Sequence, residues 1–183
     1  GLTQLEELHF SHNNVTDPSF LSGMTELRRI SAENTGLTDI SPLAGKLRLE
    51  AVFIGDSLVT DITPLKSALG LRFLGCNELQ IGSLDALEGM TELETVCLAG
   101  CGLWSIQPLS SGKKLRNVYL GRNNVSDLSP LIGCDIAEMY IDLNKLNGNR
   151  EAFRGLTVHG FIVMNGNGYA QEDLEYIRST ING

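Results

Sequence analysis

The sequence predicts an α/β solenoid: one parallel sheet of about eight short strands, backed by short turns and closed by a C-terminal helix. Three observations carry that expectation. A phrase recurs, as LTDISPL at 37–43, VTDITPL at 59–65 and VSDLSPL at 125–131. An apolar pattern L-x-x-L-x-L-x-x-N-x-L precedes it, starting near Leu5, Leu27, Leu49, Leu71, Leu93, Leu115, Ile136 and Val158. The steps between starts are 22 five times, then 21, then 22, and a fixed period of this length marks a repeat architecture. Finally, residues 170–181, AQEDLEYIRSTI, have helical apolar spacing.

The strands come first in each coil. With the start as position one, position four reads Leu8, Ile30, Val52, Leu74, Val96, Val118, Met139 and Phe161. Position six reads Phe10, Ala32, Ile54, Cys76, Leu98, Leu120, Ile141 and Val163. Two residues apart, these side chains share one face of a strand, and the residue between them faces the other way. Each coil repeats the strand in the same direction, so the strands stack in parallel. Position eleven holds Val15, Leu37, Val59, Ile81, Leu103, Val125 and Leu146, then breaks with Gly168.

The chain then turns inward, where buried backbone groups need partners. Position nine supplies them through Asn13, Thr35, Ser57, Asn123 and Asn144, because an amide both donates and accepts. Leu79, Cys101 and Gly166 occupy the same position, so the polar ladder is expected to break there. On the return leg, Asp17, Asp39, Asp61 and Asp127 precede a short turn and accept from its free N–H groups. Pro42, Pro64, Pro108 and Pro130 fix φ at the turn entry. A coil this short leaves room for 3-10 or irregular turns rather than long helices. Residues 147–156 lack the phrase, so coil seven has a different outer edge.

The ends differ. Leu174, Ile177 and Ile181 share a helix face, with Glu172 and Asp173 near its start and Arg178 near its end, as the helix dipole favours. This helix reads as a lid on the last coil. Leu2, Leu5 and Leu8 begin the array with no cap before them. An open coil exposes a strand edge. The expectation is a fragment of a longer chain whose preceding segment covers that edge, or an edge that pairs with another molecule, a second copy included.

The repeats at these positions resemble the leucine-rich repeat family. Their 22-residue length and the D-I-x-P-L phrase resemble the internalin-type repeats of bacterial surface proteins, over roughly residues 2–168. The resemblance implies a leucine-rich repeat solenoid, a curved right-handed coil with its sheet on the concave face. Residues 1–183 then form a single leucine-rich repeat domain with a cap helix at 170–181. It also implies a non-catalytic, extracellular or cell-surface module of bacterial, secreted type that binds a protein partner through the concave face.

That face carries positions three, five, seven and eight, spaced by about 4.8 Å from coil to coil. Phe53 and Phe73 form one aromatic spot and Tyr119 and Tyr140 another. Gly75, Cys97, Ala99, Gly100 and Gly121 leave a low floor between them. Rigid exposed aromatics around a dip suit a binding hot spot. The plainer reading is that Phe53 covers the Gly75 backbone. Asp56 and Glu78 add negative charge along one rim, with Asn77 and Arg122 beside them, and a solvated rim is the plainer reading there too. These eight residues, Phe53, Phe73, Tyr119, Tyr140, Asp56, Glu78, Asn77 and Arg122, are the candidate partner contacts.

Other chemistries find little support. The net charge of −8 and the scattered 14 Lys and Arg argue against nucleic acid, which basic patches bind by releasing counterions. No apolar run reaches the ~20 residues of a membrane helix. Cys76, Cys97, Cys101 and Cys134 form no CxxC pair, so neither a zinc site nor a disulfide framework is expected. Glu7, His9, His12 and Glu33 lie near one another in the pattern, but polar side chains facing water near the start of the array explain them better than a metal. No Ser-His-Asp or Cys-His set converges, and NGNG at 165–168 lacks the GKS or GKT of a phosphate loop. No enzyme activity, cofactor or metal is therefore expected. Two other readings stand beside the binding module: a targeting domain of a larger phosphatase or ligase, and a structural spacer.

Overall fold

The computed structural model describes residues 2–181. Its strands are β1 (Glu7–His9), β2 (Arg29–Ser31), β3 (Ala51–Phe53), β4 (Phe73–Gly75), β5 (Thr95–Cys97), β6 (Asn117–Tyr119), β7 (Asp135–Tyr140) and β8 (Thr157–Val163). They form one eight-stranded sheet in sequence order. Every neighbouring pair is parallel, and Leu8, Ile30, Val52, Leu74, Val96, Val118 and Met139 align row by row. Short 3-10 helices line the opposite side, among them Ser41–Leu43, Thr63–Ser67, Asp85–Leu87, Gln107–Ser111 and Ser129–Leu131. A proline sits in the first turn of four of these, as the sequence predicts. The chain ends in α1 (Gln171–Thr180).

The core runs between sheet and 3-10 helices. Side chains at positions one, four, six and eleven are buried from coil two to coil seven except Ile81, which is half-buried. In coil one Leu5, Leu8, Phe10 and Val15 are only half-buried. Lys46 is a charged exception in an otherwise apolar row with Met24, Ala68 and Met90. Its Nζ donates to the Met24 carbonyl at 2.9 Å, and burial pulls its pKa down.

The polar ladder takes two forms. Thr35 and Ser57 donate only to their own coil, at Ala32 and Ile54. Asn123 bridges two coils: its amide nitrogen donates to Leu98 and Leu120, and its oxygen accepts from Cys101 and Leu103. Asn144 does the same one coil on. Leu79 interrupts the ladder, and Cys101 keeps one link through an Sγ contact of 3.0 Å to the Cys76 carbonyl.

The eighth coil departs from the 22-residue count. Ile136 pairs with Val158, yet Glu138 pairs with Phe161, so a bulge adds one residue to β8. A Cβ on Gly160 would lie 2.1 Å from the Ala137 carbonyl oxygen, and only glycine permits that approach. The expected assignments of Phe161, Val163, Gly166 and Gly168 are therefore corrected by one place. Ile162 fills position four, Met164 position six, Asn167 position nine and Tyr169 position eleven. Asn167 resumes the ladder, donating to Ile141 and Met164 and accepting from the Asn144 N–H. Tyr169 packs edge-on against buried Phe153 at 5.8 Å.

The lid is narrower than its apolar spacing suggests. Ile177 is buried against the last coil, but Leu174 stays 39% exposed. Asp173 accepts from the Ala170 N–H at 3.0 Å and fixes the helix start.

Candidate functional site

The open sheet face is built from alternating residues of the strands and from the turn after each. At position eight the turn adopts positive φ in every coil: His12, Asn34, Asp56, Glu78, Gly100, Arg122, Leu143 and Gly166 lie between 51° and 72°. That row is held at the rim by backbone geometry rather than by packing. Asn34, Gly100 and Gly166 are residues that tolerate left-handed backbone readily, while His12, Asp56, Glu78, Arg122 and Leu143 are held there by the turn.

The two expected aromatic spots differ in kind. Phe53 lies over Gly75, where an added Cβ would meet its ring at 2.7 Å. Above Phe53 sits the Arg29 guanidinium, 5.2 Å from the ring centre. Arg72 similarly lies 5.4 Å from the Phe73 ring. Both phenylalanines are half-buried, and among the described residues no ring contact joins them. The cover reading of Phe53 therefore fits the geometry.

The second spot is larger than the sequence indicates. Tyr119 and Tyr140 stack with centres 5.0 Å apart and planes at 25°. The β8 bulge turns Phe161 onto this same face, edge-on to Tyr140 at 5.5 Å. Phe161 is 46% exposed. The residue was missed because a one-residue insertion flips side chains between faces; the only hint was Gly160 preceding an apolar run. The Tyr119 hydroxyl donates to Glu138 at 2.5 Å. That bond first, then burial, raises the Tyr119 pKa to about 12.

Between the spots Cys97, Ala99 and Gly100 remain partly exposed, and burial keeps the Cys97 thiol protonated by raising its pKa. Asn77 is tied into the frame: its oxygen accepts from the Ala99 N–H at 2.9 Å. Glu78 and Arg122 pair at 2.8 Å over Gly100. Asp56 is exposed on the rim. At position two, charges alternate as Glu6, Arg28, Glu50, Arg72, Glu94 and Arg116, with Arg28 paired to Glu50 and Arg72 to Glu94. His9 lies 3.5 Å from Glu7, and His12 contacts Asn34. Among the described residues no group of His, Cys, Asp or Glu is arranged to hold a metal ion, and no helix is long and apolar enough to cross a membrane.

The rows of stacked apolar residues, the asparagine ladder and the parallel sheet are also those of known repeat proteins. A family model described as leucine-rich repeats (2 copies) matches residues 3–45. This is a leucine-rich repeat solenoid. Its similarity is internalin-like. The crystal structure of internalin C2 from Listeria monocytogenes str. 4b F2365 superposes with a TM-score of 0.75 at 16% identity, over 96% of this chain and 78% of that one. An internalin (inlF) from the same organism gives 0.69 at 23% identity, over 96% of this chain and 65% of that one. The repeat protein FLRT2, in an octameric complex with Latrophilin 3 and Unc5D, gives 0.68 at 19% identity, over 91% and 57%. The repeat array thus spans less than two thirds of some of these structures. No curated protein sequence matches significantly.

Proposed function

We propose that this leucine-rich repeat chain is a non-catalytic module that binds a protein partner through its open sheet face, at the cell surface or outside the cell. The observation that carries the reading is the cluster of Tyr119, Tyr140 and Phe161. Three rings in contact on an exposed, rigid sheet offer a large contact area with little side-chain entropy to lose. The low floor at Cys97, Ala99 and Gly100 beside them gives a partner side chain somewhere to enter. The location is supported by the internalin-like similarity and by the partner complex in which FLRT2 takes part. The cysteines suit either redox setting: Cys76, Cys101 and Cys134 are buried with raised pKa values, which leaves the thiols unreactive.

The test is a capture experiment from the native surroundings with the chain immobilised. A triple substitution, Tyr119→Ala, Tyr140→Ala and Phe161→Ala, serves as the comparison, with circular dichroism to verify folding. Loss of a specific captured protein in the folded variant supports the reading. Equal capture by both chains overturns the role of this cluster.

A further inference from the structure

Trp104, the one tryptophan in the sequence, plays no part in the core. It is 69% exposed on the outer flank, away from the sheet face. The same position in other coils holds Thr16, Thr38, Thr60, Gly82 or Ser126, so the fold does not require bulk there. Trp104 lines an open cleft of about 330 Å³ with Ser83, Asp85, Glu88, Gln107 and Ser111. That volume is at the lower end of the about 300–1,000 Å³ of small-molecule sites.

The cleft coincides with a break in the turn chemistry. In coils one, two, three and six an aspartate absorbs the hydroxyl of the following Ser or Thr: Asp17 takes Ser19, Asp39 takes Ser41, Asp61 takes Thr63 and Asp127 takes Ser129. Coils four and five place Ser83 and Ser105 there instead. Each accepts only a backbone N–H, from Asp85 and from Gln107. Among the described residues no protein group takes up their hydroxyl hydrogens, the side chains of Asp85, Glu88 and Gln107, or the indole N–H. Coil five, which carries Trp104, and coil four beside it are thus the two coils whose turn side chains around the indole face solvent instead of one another.

We propose that Trp104 and this rim bind an uncharged, β-linked, gluco-configured sugar chain. An all-equatorial pyranose shows a flat C–H face that lies on an indole, while its hydroxyls radiate in the ring plane toward a polar rim. Polar groups of this kind fix orientation in small-ligand sites. Asp85 and Glu88 exclude polyanionic sugars by repulsion. A protein hot spot is a poorer match, because it needs a water-excluding surround, and the polar side chains Ser83, Asp85, Glu88, Ser105 and Gln107 that ring Trp104 are all exposed.

Tryptophan fluorescence tests the site directly, since every photon comes from Trp104. The chain is titrated with cellotetraose, with tetra-N-acetylchitotetraose and, separately, with tetra-arginine. A saturable spectral shift with at least one sugar is the expected result. Removing a rim contact, in Gln107→Ala or Asp85→Ala, weakens that binding by about tenfold, the equivalent of a lost hydrogen bond. No saturable shift with either sugar overturns the proposal, as does a shift with tetra-arginine alone. Sugar affinity unchanged in both rim variants also overturns it. The triple sheet-face variant keeps full sugar binding, so this result is read independently of the proposed partner.

Discussion

The Glu78 carboxylate and the Arg122 guanidinium meet at 2.8 Å although two repeats separate them along the chain. Gly100 occupies the coil between, and a Cβ there would lie 2.7 Å from the Glu78 carboxylate. The missing side chain is what lets the pair close over the intervening coil. It also flattens the face beside Tyr119.

Both side chains remain well exposed, 38% for Glu78 and 61% for Arg122, so solvent screens the pair. A double-mutant cycle with Glu78→Ala and Arg122→Ala should return a coupling below about 1 kcal/mol. Gly100→Ala, at φ +68°, should destabilise by about 1–2 kcal/mol through left-handed backbone. Once Gly100 is replaced, Arg122→Ala should add almost nothing. Urea unfolding reads all three values, and a coupling above about 2 kcal/mol contradicts this account.

The ladder predicts a different ranking. Asn123→Ala strands carbonyls of Leu98 and Leu120 and N–H groups of Cys101 and Leu103, in two coils at once. Ser57→Ala removes one bond within its own coil. Losses of about 2–4 kcal/mol for Asn123→Ala and about 1 kcal/mol for Ser57→Ala follow. Equal losses in urea unfolding would show that bridging between coils adds nothing.

The period, the buried rows and the turn aspartates were legible because each is set by a contact that recurs in every coil. Asp39, for example, accepts from both the N–H and the hydroxyl of Ser41, and the sequence repeats the pair at Asp61 and Thr63. What the sequence hid is what does not recur. The bulge at Gly160 depends on the approach of the Ala137 carbonyl, a contact between two coils, and a count within one coil cannot register it. A count within the coil assigns Phe161 to the core, whereas the bulge sets it on the open face beside Tyr140. Asn77 reads as a free contact residue until its bond to Ala99 is seen. Trp104 belongs to a row of otherwise small residues, Thr16, Thr38, Thr60, Gly82 and Ser126, which lies outside both the core rows and the sheet-face rows and so carries no recurring contact.

The turn aspartates make the solenoid acid-sensitive. Bonds from Ser19, Ser41 and Thr63 hold Asp17, Asp39 and Asp61 below the ordinary carboxylate value of 3.8. For a carboxylate depressed on folding, the unfolded chain binds more protons as pH falls. The stabilisation is therefore complete above about pH 5, where the unfolded groups are also ionised, and drains away as pH drops through the folded values below 3.8. Asp39→Asn should lower the melting temperature at neutral pH and flatten its decline between about pH 4 and pH 2. A variant whose melting temperature falls in parallel with the parent chain across that range removes Asp39 from the explanation.

At the alkaline end one contributing pair is Tyr119 and Glu138. The phenol donates to a carboxylate, so ionising it sets two negative charges side by side, and its pKa stands at about 12 against an ordinary 10.0. A phenol raised on folding contributes stability that is whole below its unfolded value and is lost as pH climbs from about 10 toward about 12. Glu138→Gln keeps an acceptor but removes the charge, and the Tyr119 titration should move back toward 10. Selective isotope labelling of tyrosine, followed by NMR titration, separates Tyr119 from Tyr169, which burial and Asp173 also raise to about 12. Tyr169 should not respond to the substitution. A Tyr119 titration unmoved in Glu138→Gln would assign its shift to the stacked Tyr140 and to burial instead.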